Sequence, residues 1–110
     1  MKIHELAEKC EWRLLAGEKG KDRDINGCYA GDLLSWVMGR AREDNVWLTV
    51  MGNVNAVAVA TLTDCCGIVL TEGAALDADA KARAEQQGVA IYSTAENTYD
   101  TAVKISGIIL

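Results

Sequence analysis

The sequence predicts a single α/β domain with a mainly parallel sheet and helices packed on its faces. Segments of strand length that are rich in Val, Ile and Leu alternate along the chain with segments of helical periodicity. Two of the apolar segments, residues 46–50 and 68–71, are nearly continuous, as expected for strands covered on both faces. The 110 residues, of which 50% are hydrophobic, are enough for one core and predict one domain over residues 1–110.

The beginning of the chain predicts a helix followed by an irregular region. Residues 2–10 place apolar side chains at helical spacing, which is typical of an amphipathic helix. A short apolar run over residues 12–16 ends at Gly17. The polar residues 18–24 then predict an exposed loop.

The next segment predicts a strand, a helix and a central strand. Residues 25–29 have strand character, interrupted by Gly27. Asp32 caps or begins a helix that carries the apolar residues of 33–38. Residues 46–50 are the best candidate for a central strand.

The alanine- and valine-rich residues 54–62 are compatible with strand or helix by composition. We predict a helix, because the buried strands on either side need a crossover element if they are parallel. Residues 77–87 predict a helix that stops at Gly88, and residues 89–92 predict a short strand.

Residues 94–105 predict the closing helix, after which Gly107 begins a short apolar tail over residues 108–110. An apolar tail is poorly placed in water, which suggests that it docks on a partner. The candidate inner positions of the helix are Ala95, Thr98, Tyr99, Ala102, Val103 and Ile105.

Charge and composition exclude several classes of function. The net charge of −5 and the absence of a dense Lys/Arg run argue against a nucleic-acid partner. The N-terminus predicts neither a signal peptide nor a membrane helix, so we expect a cytoplasmic protein without a membrane partner.

We expect the four cysteines to be reduced thiols in the core and two of the three tryptophans to be core residues as well. We expect no disulfide, and a metal site is poorly supported because His4 is the only histidine and Cys65 and Cys66 are adjacent. Trp36 and Trp47 fall on the apolar faces of a predicted helix and strand, although an exposed Trp would instead mark an interface. The cysteine and tryptophan residues expected in the core are Cys10, Cys28, Cys65, Cys66, Trp36 and Trp47.

Two segments carry a resemblance to a known family. Residues 22–27, Asp-Arg-Asp-Ile-Asn-Gly, stand where the name motif of the DRTGG domain family falls, and residues 31–35, Gly-Asp-Leu-Leu-Ser, follow as in family members. The sequence is similar to this family from about Asp22 to Gly107. The resemblance implies an α/β module with no settled activity, often regulatory and often self-associating, with a fold like the N-terminal domain of HPr kinase/phosphorylase.

The same resemblance brings labels that the residues themselves do not support. Members occur alone, in phosphotransacetylases and beside CBS domains, and stand-alone members are often labelled HPr serine kinases or hydrogenase-associated proteins. The sequence has no G-x-x-x-x-G-K-[ST] loop to hold nucleotide phosphates. We therefore expect a module that is not an enzyme and that needs no cofactor.

Candidate binding residues cluster where strands are followed by helices. Ligands of open parallel sheets bind at the carboxyl ends of the strands, which favours the segments 49–55 and 71–73 as binding loops. Gly27 and Gly31 flank a predicted helix start, where backbone amides can approach an anion. Turn formation and helix capping explain the same residues without a ligand. The candidates are Gly27, Gly31, Asp32, Thr49, Asn53, Asn55, Thr71 and Glu72.

Two hypotheses of function remain open. The first is a regulatory module that forms a homodimer and senses a small polar ligand or a partner protein. The second is a protein-interaction subunit of a metabolic or redox enzyme of hydrogenase type. A pocket lined by the strand-end loops would favour the first, and an exposed apolar face without an enclosed pocket would favour the second.

Overall fold

A computed structural model describes residues 1–109, and its five strands form one sheet with the order β1-β5-β4-β3-β2. Residues 1–109 also form five α-helices and one short 3-10 helix. In chain order the elements are α1 (Ile3–Cys10), β1 (Arg13–Ala16), the 3-10 helix (Glu18–Gly20), β2 (Gly27–Ala30), α2 (Leu34–Arg40), β3 (Asn45–Thr49), α3 (Val54–Thr63), β4 (Gly67–Leu70), α4 (Ala78–Gln87), β5 (Ile91–Ser93) and α5 (Thr98–Ile109).

The sheet is mainly parallel, as the sequence predicts. β2 pairs with β3, β3 with β4 and β4 with β5, all in parallel, while β1 pairs with β5 in the antiparallel direction. The β1–β5 ladder is irregular between Leu14 and Ala16. The sheet therefore has two different edges, an irregular one at β1 and a regular parallel one at β2.

Buried side chains form two clusters that alternate along the central strand β3. Trp47 belongs to the first cluster, with side chains from α2, α3 and α4. Val46 and Leu48 belong to the second, with side chains from α1 and α5. Successive residues of a strand point to opposite faces of the sheet, so this alternation places the two clusters on opposite faces. Their fully buried apolar side chains contribute the main favourable term in folding.

The helix boundaries follow ordinary capping chemistry. Asn53 begins α3, because its Oδ1 accepts a hydrogen bond from the amide of Ala56 at 2.9 Å. Gly88 ends α4 with a φ of 69°, which confirms the glycine stop. The predicted crossover helix between β3 and β4 is likewise present as α3. None of the helices in residues 1–109 is long and apolar enough to cross a membrane.

Two predictions about β2 and the start of α2 are wrong. Gly27 does not interrupt a strand but begins β2, opposite Asn45 of β3. Asp32 does not cap α2, because α2 begins at Leu34 with no side-chain cap at Leu33. The carboxylate of Asp32 instead accepts hydrogen bonds from the end of the neighbouring strand β3.

The closing helix begins and ends four residues later than predicted. Asn97 precedes it, with its Oδ1 accepting from the amide of Asp100 at 2.8 Å. The buried face of the helix also differs from the prediction. Ile105 is fully buried as predicted, and so is Thr101. Tyr99 and Val103, which were predicted to face inward, are 76% and 52% exposed.

The predicted apolar tail is part of this helix. Ile108 and Ile109 lie in its last turn and pack, half-buried, against the second cluster. Leu110, the last residue of the predicted tail, lies outside the described residues. Ala95, also predicted to face inward, is exposed before the helix begins.

The tryptophans and cysteines divide between core and surface. Trp47 is fully buried and its indole nitrogen donates to the carbonyl of Gly31 at 2.9 Å. Trp36 is 54% exposed, because the two-turn helix α2 buries Val37 and turns the neighbouring position outward. The guanidinium carbon of Arg40 lies 3.8 Å from the centre of the Trp36 ring.

The four thiols are all free, as predicted, but only two lie in the core. Cys65 and Cys66 are buried, and burial raises the pKa of the Cys66 thiol to about 12. Cys10 is half-buried, and Cys28 is exposed on the edge strand β2. The prediction that Cys28 and Trp36 belong to the core is therefore wrong.

Candidate functional site

The carboxyl ends of β2 and β3 are joined by a carboxylate–hydroxyl pair. Thr49 Oγ1 donates to Asp32 Oδ1 at 2.7 Å, and the amide of Val50 donates to the same oxygen at 2.9 Å. Thr49 is 1% exposed, whereas Asp32 is exposed. Gly31 completes the junction, because its amide donates to the carbonyl of Leu48 at 3.1 Å. The sequence predicted Gly31 and Asp32 at a helix start and Thr49 at a strand end, and the structure joins the two segments through the Thr49–Asp32 bond.

The carboxyl end of β4 is joined in the same manner to the start of α5. The hydroxyls of Thr71 and Thr98 lie 2.7 Å apart, and the amide of Thr98 donates to Glu72 Oε2 at 3.3 Å. A carboxylate at the first turn of a helix is favoured by the helix dipole. Glu72 itself has a φ of 62°, in the left-handed region. This φ directs the chain into the turn that follows β4.

The loop between β3 and α3 carries the remaining strand-end candidates. Asn53 is occupied in capping α3, while Asn55, in the first turn of that helix, has an exposed side chain. Gly52 lies against the turn before α4, because a Cβ added there would be 1.9 Å from the carbonyl oxygen of Ala75. The amide of Asp77 donates to the Gly52 carbonyl at 2.8 Å. Backbone contacts therefore hold the loop between β3 and α3 against the turn before α4.

Gly27 lies apart from the other candidates. It opens β2 at the amino end of the strand, whereas Gly31 and Asp32 follow the carboxyl end of the same strand. One small ligand cannot contact both ends of a four-residue strand together with the loops at one edge. The structure brings together the strand-end candidates and separates Gly27 from them.

Arg23 organises the amino edge of the sheet, and the sequence analysis did not single it out. Its guanidinium donates to Asp44 Oδ1 at 2.6 Å and to Asp64 Oδ1 at 2.8 Å, and also to the carbonyls of Asp64 and Cys65. The two partner aspartates have φ values of 65° and 57°. Burial lowers the pKa of Arg23, but the hydrogen bonds that its guanidinium donates to the carboxylates of Asp44 and Asp64, with their negative charges, raise it by more. The available signal was the position of Arg23 within residues 22–27.

A groove of about 330 Å³ runs between the edge strand β2 and helix α5. Its walls are mostly small or apolar, with Asn26 and Ser106 as the polar side chains. The groove is lined by Asn26, Gly27, Cys28, Ala30, Ala102, Ile105, Ser106 and Ile109.

The outer surface of α5 continues this groove without a charge. Tyr99 and Val103 are one turn apart and largely exposed, and helix geometry places them beside Ala102 and Ser106 of the groove. The charged residues Asp100 and Lys104 lie on the side of the helix away from the groove, and Asp100, three residues before Val103, borders the exposed Tyr99 and Val103. We call this surface the β2–α5 face and define it by Cys28, Ala30, Tyr99, Ala102, Val103 and Ser106.

The titratable groups form no metal site in the described part of the chain. Among residues 1–109, no group of three or more His, Cys, Asp or Glu side chains is placed to hold a metal ion. His4 lies on the surface of α1, 3.4 Å from a carboxylate oxygen of Asp22 and 3.6 Å from one of Glu8. The strand-end residues provide hydrogen-bonding groups, and the β2–α5 face provides an uncharged surface.

Comparison with known proteins agrees with the resemblance carried by residues 22–27 and 31–35. The family model described as the DRTGG domain matches residues 5–108. No curated protein matches the chain.

Proposed function

Because the chain belongs to the DRTGG domain family, we propose that it is a non-catalytic regulatory module that self-associates and acts through binding. DRTGG domains are a regulatory-type family, which is consistent with this role. The observation that carries the proposal is the β2–α5 face, an uncharged surface on a chain whose net charge is −5. Such a surface suits contact with protein better than contact with water.

The exposed side chains of this face supply a plausible energetic centre for an interface. Tyr99 is 76% exposed and Val103 is 52% exposed. Tyrosine is enriched among interface residues that dominate binding energy, since it brings a large apolar area and a polar tip. Burying Tyr99 and Val103 against a partner would remove this area from water.

Exposed apolar side chains near β2 extend beyond the β2–α5 face. A standard interface buries about 800 Å² on each partner, and the whole chain exposes 5724 Å². Helix α2 follows β2 and contributes side chains to the opposite core cluster, and it exposes Trp36 and the preceding Leu33 by 54% and 57%. Large exposed apolar side chains thus occur on helices at both faces of the sheet near β2.

The bonding at the strand ends gives its side chains a structural role. Asp32 accepts from Thr49 and from the Val50 amide through Oδ1, and the hydroxyl of Thr71 bonds to that of Thr98. These bonds hold strand to strand and strand to helix, and they do not use Oδ2 of the exposed Asp32 carboxylate.

A small polar ligand remains a second candidate at the same strand ends. Two exposed carboxylates, Asp32 and Glu72, and the exposed amide of Asn55 belong to connections on this edge. Their charge favours a cationic or neutral polar ligand over a phosphate or other anion. A thermal-shift screen should then give a hit that Asn55→Ala weakens, and Asn55 is the better probe because Asn53 is needed to cap α3.

Sedimentation velocity tests the self-association directly. The wild-type chain should show a concentration-dependent dimer, and Val103→Glu should shift it to monomer because two like charges would meet in the interface. Leu62→Glu is the matched control, since Leu62 is 72% exposed on α3, away from the face. A wild-type chain that remains monomeric would contradict self-association and would favour an interaction subunit that takes a different protein on this surface.

A further inference from the structure

We propose that a pocket beside strand β5 binds a small carboxylate with a short aliphatic chain. The pocket has a volume of about 320 Å³ and is lined by Leu15, Ala74, Ala75, Leu76, Lys81 and Ser93. It lies away from the β2–α5 face, because β4 and β3 separate β5 from β2 in the sheet. The proposal therefore goes beyond self-association and can be tested without it.

The connections that follow β4 and β5 leave the sheet in opposite directions. β4 leads to α4, whose buried Ala80 and Ala84 belong to the first core cluster, whereas β5 leads to α5, whose buried Ile105 belongs to the second. The two clusters lie on opposite faces, and β4 and β5 are neighbouring parallel strands. Ligands of open α/β sheets bind in the crevice that such a divergence leaves at the carboxyl ends of the strands. The pocket lies at this position, between the loop after β4 and Ser93 at the end of β5.

Two cationic side chains are placed at the pocket. Lys81 lines it from the start of α4. Arg13 is the partner of Ser93 in the antiparallel β1–β5 ladder, and opposite residues of such a pair point to the same face of the sheet. Neither cation forms an ion pair within residues 1–109. On a chain whose net charge is −5, these two positive groups favour an anion at this position.

The carboxylates around the pocket do not line it. Asp77 and Glu85 lie one turn before and one turn after Lys81 on α4, and neither is a lining residue. Oδ1 of Asp79 accepts from the amide of the next residue at 2.9 Å. Glu72 is directed toward the other face, because its Oε2 accepts from the first amide of α5 at 3.3 Å. Lys81 is therefore the one charged residue among those that line the pocket.

The other lining residues define the rest of the ligand. Leu15 and Leu76 are partly buried and pack against the first core cluster, so they provide apolar walls. The half-buried Ser93 carries a hydroxyl that can donate to an anion. A carboxylate accepts hydrogen bonds from an ammonium and a hydroxyl, while an aliphatic chain gains by leaving water for the leucines. The volume of the pocket suits a small molecule of this kind.

Titration with sodium butyrate, followed through the backbone amide signals in nuclear magnetic resonance, tests the site. The signals of residues 74–76 and 93 should shift and reach saturation. Sodium chloride and inorganic phosphate at the same ionic strength should not produce these shifts, because they lack the aliphatic chain. Butylammonium chloride should not produce them either, because its charge has the wrong sign.

Three charge variants on α4 identify the contact. Lys81→Gln should weaken butyrate binding at least about tenfold, the loss expected for a charge-assisted hydrogen bond. Arg83→Gln is the matched control, because it removes the same charge from a side chain that lines a different groove with Leu62, and it should bind as the wild type does. Asp77→Asn removes a negative charge near Lys81 without removing a capping bond, and it should bind butyrate more tightly.

The titrations can contradict the proposal in three ways. Shifts at residues 74–76 and 93 that are absent with butyrate, or that chloride or phosphate reproduces, would overturn it. Equal affinity for butyrate in Lys81→Gln and in the wild type would also overturn it. The oligomeric state is measured separately by sedimentation, so either result would leave the proposed self-association standing.

Discussion

The guanidinium of Arg23 lies 2.6 Å from the carboxylate of Asp44 and thereby connects the loop before β2 to the residue that precedes β3. The same side chain reaches Asp64, at the end of α3, at 2.8 Å. Three segments distant in sequence meet at this one planar group. A planar fork with several donors can bind two carboxylates and two carbonyls together, which the single ammonium of lysine cannot reproduce.

Replacing Arg23 should therefore destabilise the fold. Arg23→Ala should lower the free energy of unfolding by about 1–2 kcal/mol, a value reduced for the partial exposure of the cluster. Arg23→Lys should recover less than half of this loss, because it keeps the charge but loses the fork. Urea unfolding measures both, with Arg83→Ala on the exposed surface of α4 as the control. Equal stability of Arg23→Ala and wild type would mean that the cluster contributes nothing measurable.

The junction between β2 and β3 should depend on an acceptor at residue 32 rather than on its charge. Asp32→Ala removes the acceptor for both Thr49 and Val50 and should cost about 1–3 kcal/mol, since the buried Thr49 hydroxyl loses its partner. Asp32→Asn keeps an oxygen at this position and should cost clearly less. Thermal unfolding of the two variants decides the point, and an equal loss in both would indicate that the negative charge is the important property.

Two glycines should respond in opposite directions to the same substitution. Gly52→Ala brings a Cβ to 1.9 Å from the Ala75 carbonyl oxygen, so the loop after β3 must move and stability should fall by more than 1 kcal/mol. Gly39→Ala, inside α2, meets nothing within 4 Å and should raise stability by up to about 1 kcal/mol. Differential scanning calorimetry of both variants compares them, and a Gly52→Ala chain as stable as wild type would contradict the close backbone approach.

Stability should fall at alkaline pH because Cys66 is held as a neutral thiol. Burial raises its pKa from 9.0 to about 12 in the folded chain, so the folded state binds the proton more tightly than the unfolded state does. This contribution is complete below about pH 9 and is lost as the pH rises toward 12, with a limiting slope of about 1.4 kcal/mol per pH unit. Cys66→Ala should make unfolding in urea less dependent on pH between 9 and 11. Leu62→Ala, which removes no titratable group from the surface of α3, is the control, and an unchanged slope in Cys66→Ala would assign the alkaline loss to other groups.

The sequence predicted the elements whose pattern is local and strong. The apolar run that became β3 and the alanine-rich helix ending at Gly88 were recognised because strand burial and helix stops are encoded by neighbouring residues. The boundary of α5 was missed because Asn97 and the Thr71–Thr98 contact set the start of the helix, and the second of these depends on a residue 27 positions away. Trp36 was misplaced because a seven-residue helix gives too few turns to define its buried side.

The candidate site was predicted in part for a related reason. The general geometry of parallel sheets predicted that the segments beginning at Thr49 and Thr71 lie at the same edge, and the amide of Thr71 donates to the carbonyl of Thr49 at 3.1 Å. The sequence did not predict the bond between Asp32 and Thr49, since that depends on the register of β2 against β3. It also could not identify the β2–α5 face, because this surface needs both the strand order of the sheet and the correct helical phase of α5.

The most direct test of the account is a dilution series followed by backbone nuclear magnetic resonance. If the β2–α5 face is the surface of self-association, the amide signals of residues 27–30 and 99–109 should shift together as the dimer dissociates, while those of α4 stay fixed. If the signals of these two segments do not change with concentration while another surface shifts, the β2–α5 face is not the binding surface and the central claim is wrong.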